Sequence, residues 1–237
     1  KSDLYDEHTY DSAGRWVTYL RDLQHEIASF GVPKPFVMGE AVLYTSWPDV
    51  PALVRTAQNL NDVGRRGKWP WWFSRGFDVM IAFEAEVRER FGSATLSRFR
   101  TQGDRYNLLG RKFQFERFRE YPNHAGLVMN HFNDVPQCRC GFIDDLDRWR
   151  FDVGQVRGWA SDAACLLRTP GDLTGLRGGE THATRLAVSN FGPGAIHAAV
   201  SLRINGTPAG VAHVQTQCGE VTDCGVSLTL PAVARPT

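Results

Sequence analysis

Apolar positions recur at helical spacing through the first two thirds of this chain and as short, turn-bounded runs in the last third. Near the start, Leu4 and Tyr5 lie among Asp3, Asp6, His8 and Tyr10, a pattern that predicts a short strand with polar and aromatic groups at its end. Trp16, Leu20, Leu23 and Ile27 follow at three- and four-residue intervals, so residues 15–30 are expected to form a helix with one apolar face. Gly31 and Pro33 close it. Pro35-Phe36-Val37-Met38-Gly39-Glu40 is then an apolar run without alternation. It reads as a buried strand that carries the Glu40 carboxylate to the point where the strand leaves the core. Strand, helix and strand with a short return make a β/α unit, for which a parallel sheet is expected.

Beyond Trp47, Pro48 and Pro51 a helix is predicted to run to Val63. The segment 64–77 places Trp69, Trp71, Trp72 and Phe73 between glycines, a pattern that fits either core packing or a platform for stacking a sugar ring. Helical spacing resumes over 79–91 and again over about 94–121. Pro122 stops it, and Ala125-Gly126-Leu127-Val128-Met129 reads as a second buried strand leading into Asn130, His131, Phe132, Asn133 and Asp134. Asp144, Asp145 and Asp147 lack the glycine and distal glutamate of a calcium loop and read as solvated acids. From about residue 158 the helical period is lost. Short strands are expected near 165–167, 181–189, 196–204, 210–214 and 226–230, with Asn205-Gly206 as a type I′ hairpin turn, the texture of a small antiparallel sandwich.

Composition narrows the function classes. The chain has 237 residues, 42% hydrophobic and 22% charged, with a formal net charge of +1. That balance argues against a basic nucleic-acid surface, and no apolar run reaches the length of a membrane span. The chain opens on Lys1, with neither initiator Met nor signal peptide, so a processed product or excised piece is expected. Of the five cysteines, Cys138 and Cys140 have a one-residue gap that is short for structural zinc and no second close pair, so neither a metal set nor a cofactor is assigned. Cys218 and Cys224 flank a probable turn and could form a disulfide; buried thiols are the other reading.

The order of Asp6, His8 and Tyr10, then Met38-Gly39-Glu40, then the strand closing on Asn133-Asp134 and a β-rich tail resembles the glycoside hydrolase family that includes β-galactosidase, β-mannosidase and β-glucuronidase. The resemblance implies an α/β plus all-β chain: the C-terminal part of a (β/α)8 barrel over residues 1–155, then an immunoglobulin-like β-sandwich over 156–237. It implies a retaining β-glycosidase with Glu40 as nucleophile, acting with an acid at about 5–5.5 Å. His8, Tyr10, Trp47, Trp71, Trp72, Asn133 and Asp134 would contact the carbohydrate. In that family the acid/base glutamate follows an asparagine at an earlier strand end, and no such pair precedes Glu40. The resemblance therefore places it in a missing N-terminal part of the barrel, in the same or another chain, and implies an isolated segment that is inactive. Family likeness and the possible disulfide favour an extracellular or periplasmic setting. The competing expectations are a non-catalytic carbohydrate-binding or scaffold protein derived from such a fold, and a structural piece whose sandwich mediates interdomain contact.

Overall fold

The computed structural model describes residues 3–10, 13–62, 77–135, 138–168, 179, 181–182, 185–225 and 228–229. In chain order the elements are β1 (Tyr5–Thr9), α1 (Ala13–Ser29), β2 (Phe36–Ala41), α2 (Val50–Asp62), α3 (Phe77–Phe91), α4 (Ser93–Phe118), β3 (His124–Met129) and α5 (Val153–Ala160), followed by β4 (Ala163–Arg168), β5 (Thr181–His182), β6 (Arg185–Asn190), β7 (Ile196–Ile204), β8 (Thr207–Thr216), β9 (Glu220–Asp223) and β10 (Leu228–Thr229). Two compact units are built from discontinuous stretches: residues 1–40, 112–128 and 154–237 form the first, and residues 41–111 and 129–153 the second. Among the described residues no helix is long and apolar enough to cross a membrane.

β1, β2 and β3 form an open sheet in that order. The Phe36 amide donates to Asn123 O at 3.0 Å and the Asn130 amide to Ala41 O at 2.9 Å, so β2 and β3 ascend together as parallel neighbours. In the first unit the predicted face of α1 is buried, with Trp16 at 0% and Leu20 at 1% exposure. The Trp16 indole donates to Gln114 O at 3.0 Å, which satisfies its one polar atom inside the core.

The barrel expectation is overturned here. A closed barrel needs about eight strands buried on both faces. Here three strands make an unclosed sheet, and their burial is one-sided or weaker: Phe36 and Met38 are buried, Val37 and Glu40 are partly open, and β1 is exposed at three consecutive positions. With no barrel to complete, the expected missing N-terminal barrel half also falls away, and so does the glycosidase family likeness.

The β-rich tail is not the expected immunoglobulin-like sandwich. It divides into a three-stranded antiparallel sheet ordered β4-β6-β9, a two-stranded hairpin of β7 and β8, and a two-residue pairing of β5 with β10. The hairpin turns at Asn205 (φ 49°) and Gly206 (φ 82°), where both central residues of a type I′ turn need positive φ. A sandwich requires each strand to bury every second residue against a facing sheet. Along β7 no residue is fully buried, and along β8 only Val214 and Thr216 are. The small sheet is tied instead to the helical part of the first unit by Arg119, whose Nε donates to Ser189 Oγ at 3.1 Å and whose Nη2 donates to Asp162 O at 2.6 Å. Burial lowers the pKa of that guanidinium, and the carboxylates of Asp162 and Glu116 oppose the shift.

In the second unit Val50, Leu53, Ala57 and Phe77 form an apolar cluster on α2 and α3, with Trp47, Met80 and Leu146 against it. The described residues of 130–151 form no helix or strand. They fold as a knot of isolated bridges, pairing Asn133 with Ile143, Val135 with Cys138 and Ile143 with Trp149.

Candidate functional site

In the first unit, Glu40 stands at the end of β2 with its side chain 39% exposed, and His8 on β1 places Nδ1 at 3.1 Å from Glu40 Oε2. His8 Nε2 lies 3.7 Å from Asp6 Oδ2. The two strands bring these groups together because β1 lies beside β2. A Cβ on Gly39 would meet the Asp6 carboxyl group, the end of a half-exposed side chain that packs over the backbone there. No second glutamate is held against Glu40 among the described residues, so the paired acids of a retaining mechanism are not formed and the glycosidase reading is overturned. Tyr10, at the end of β1, is 44% exposed. A hollow of about 680 Å³ lies at the opposite end of this sheet, where Pro33, Pro35, Pro122 and Asn123 lead into β2 and β3.

Of the remaining predicted residues, Trp47, Asn133 and Asp134 belong to the second unit. The Trp47 indole donates to Glu84 Oε1 at 2.9 Å, and its ring lies 5.0 Å from that of Phe83 and 5.7 Å from that of Phe99. That tryptophan packs against α3 and α4 and stays partly exposed. Trp71 and Trp72 lie outside the described residues. Asn133 is exposed and pairs its backbone with Ile143. Asp134 has a fully buried side chain that accepts from the Gly141 amide at 2.8 Å and pairs with Arg150. Burial raises the Asp134 pKa, and Arg150 works against that shift. The carbohydrate surface expected from these positions is therefore absent among the described residues.

Loop 130–151 is held by three buried arginines. Arg111 on α4 has 0% exposure; its Nε donates to Asn107 Oδ1 at 2.7 Å, and its Nη2 donates to Asn130 O at 2.7 Å and to Cys140 O. Its guanidinium also lies over the Phe142 ring at 4.6 Å. Burial pulls the Arg111 pKa down to about 10, with Cys140, Cys138 and Asp134 opposing, so the group stays cationic near neutrality. Arg139 Nε donates to Asp145 Oδ2 at 3.0 Å, and Arg150 bonds Asp104 at 3.0 Å besides Asp134. Of the acids read from sequence as solvated, two are partly enclosed: the Asp145 side chain is 9% exposed, and Asp144 accepts from the Leu146 and Arg148 amides, while Asp147 is exposed.

Within this loop His131, Cys138 and Cys140 converge. His131 Nδ1 lies 3.1 Å from Cys140 Sγ, and the three donor atoms all lie within 4.8 Å of one another. Cys140 is buried, and burial, reinforced by Cys138, pushes its thiol up to about 12. The sequence reading weighs Cys138 with Cys140 alone. The available signal is a histidine seven positions before the first cysteine, assigned there to a strand exit. No protein family and no curated protein matches this chain in sequence.

Proposed function

We propose that this chain is a non-catalytic scaffold protein, a frame that holds long loops in fixed conformations. The observation that carries this reading is the use made of Asp134. Its buried carboxylate fixes the loop backbone at Gly141 and neutralises Arg150, and so is committed to structure rather than to a ligand. Arg111 and Arg139 are engaged in the same way. The exposed contact of Glu40 with His8 is an ordinary surface pair, worth about 0–1 kcal/mol.

The test compares the full chain with Glu40→Gln and Arg150→Met. For the scaffold reading, Glu40→Gln leaves the melting temperature within about 2 °C, and no hydrolytic turnover of glycoside, ester or phosphate chromogens depends on Glu40. Arg150→Met, which strands the buried Asp134, lowers stability by about 3 kcal/mol or more. A turnover that Glu40→Gln removes, or an Arg150→Met chain as stable as the parent, overturns it.

A further inference from the structure

We propose that His131, Cys138 and Cys140 bind a zinc-class cation in the second unit, two thiolates and one imidazole supplying three of the four positions of a tetrahedron. Zinc holds thiolate sulfur at about 2.3 Å and imidazole nitrogen at about 2.0–2.1 Å, which separates tetrahedral donors by about 3.5–3.8 Å. The observed donors, at 3.1 Å for one pair and within 4.8 Å for all, bracket that spacing, so closing on the ion takes side-chain adjustment rather than backbone rearrangement.

Backbone bonds already tie down the described residues that carry the donors. Val135 and Cys138 exchange backbone bonds of 3.0 and 2.9 Å, which ties down the residue of the first thiol. Arg111 Nη2 holds Asn130 O and Cys140 O with the same nitrogen, so the residue before the imidazole and the residue of the second thiol are clamped together. The Ser46 amide donates to Arg139 O at 2.7 Å between the two cysteines. Fixing this geometry before the ion arrives removes ordering cost from binding.

Donor chemistry selects the ion. Thiolate with imidazole suits zinc or copper(I) and disfavours magnesium or calcium, which take oxygen. Binding releases the two thiol protons to solvent, and two thiolates then neutralise the charge of a divalent ion. Among the described residues three side chains form the group, and the fourth position of the tetrahedron is left to a further ligand. This assignment does not depend on the scaffold reading, because its test reads metal content rather than turnover.

The full chain is equilibrated with zinc alone, freed of excess by dialysis, and its zinc content is measured beside that of Cys138→Ser, Cys140→Ser, His131→Ala and a triple control, Cys165→Ser with Cys218→Ser and Cys224→Ser. The expected result is one zinc per chain in the parent and in the triple control. Losing an outer-shell partner alone costs ~10–100-fold in affinity, so losing either thiolate raises Kd ~100-fold or more. X-ray absorption at the zinc edge of the unsubstituted chain reads the donors directly and needs no variant to fold; two sulfurs with nitrogen in the remaining shell are expected. A parent chain that retains no zinc, an edge spectrum with oxygen and nitrogen donors only, or full zinc in the folded Cys138→Ser, Cys140→Ser double variant overturns the site.

Discussion

The Gly141 amide donates to Asp134 Oδ1 at 2.8 Å, and the two backbones meet so closely that a side chain at 141 has no place to go. A Cβ on Gly141 would stand 2.5 Å from the Asn133 carbonyl carbon and from Ile143 O, and nearer still to the Asp134 nitrogen. All three obstacles are backbone, fixed by the bridges that close the loop. The loop therefore depends on this position as much as on its arginines.

Gly141→Ala is expected to destabilise the chain by about 3 kcal/mol, the upper range of overpacking penalties, because no flexible side chain can yield. Urea denaturation followed by tryptophan fluorescence measures it. A change below about 0.5 kcal/mol, the level of an ordinary surface substitution, would show that the loop does not close on itself as described.

Much of the local order was legible in the sequence, and the long-range order was not. Trp16, Leu20 and Leu23 mark the buried face of α1, and Asn205-Gly206 marks the β7–β8 turn, because each pattern is set within a few residues. Closure was misread. An apolar run such as Phe36 to Met38 looks alike whether a strand is buried on one face or on both, and the unclosed three-strand order, with Val37 partly exposed, distinguishes an open sheet from a barrel. Short, turn-bounded strands in the tail point to facing sheets, yet β7 leaves most of its positions exposed. The thiol and imidazole cluster was missed for a different reason. It lies in a segment without period, where the path is set by Arg111 reaching in from another element.

Glu84 on α3 carries a second prediction. Its side chain is 2% exposed, and Oε1 is shared between Arg100 Nη2 at 2.5 Å and the Trp47 indole at 2.9 Å. Glu84→Leu takes the acceptor from the Trp47 indole and leaves a largely enclosed guanidinium with the longer Asp49 contact at 3.8 Å. A cost of about 2–4 kcal/mol is expected, at the lower side of buried-pair values because Arg100 is 25% exposed. Adding Arg100→Leu recovers part of that loss, and the double-mutant cycle gives a coupling of about 1 kcal/mol or more. Strict additivity in denaturation experiments would count against the pair.

His124 makes the stability of the first unit depend on acid. Its ring is buried among Phe36, Phe118 and Tyr121; Nδ1 lies 2.8 Å from Phe118 O and Nε2 lies 2.6 Å from Gln24 Nε2. A carbonyl can only accept, so Nδ1 carries the proton, and Nε2 accepts from the Gln24 amide. The neutral ring is fully bonded, and protonation would bury a charge. Burial accordingly lowers its pKa from 6.5 to about 4, with the Phe118 carbonyl opposing. Because the unfolded chain binds the proton more readily, stability from this group is complete above about pH 6.5 and falls as pH drops toward 4. Between pH 7 and pH 5 the loss amounts to about 2 kcal/mol. His124→Gln, which keeps a donor for Phe118 O without a titrating ring, should remove that slope while lowering stability at pH 7. Urea midpoints of parent and variant at the two pH values decide the matter: parallel pH dependence in both would assign the acid sensitivity to other groups.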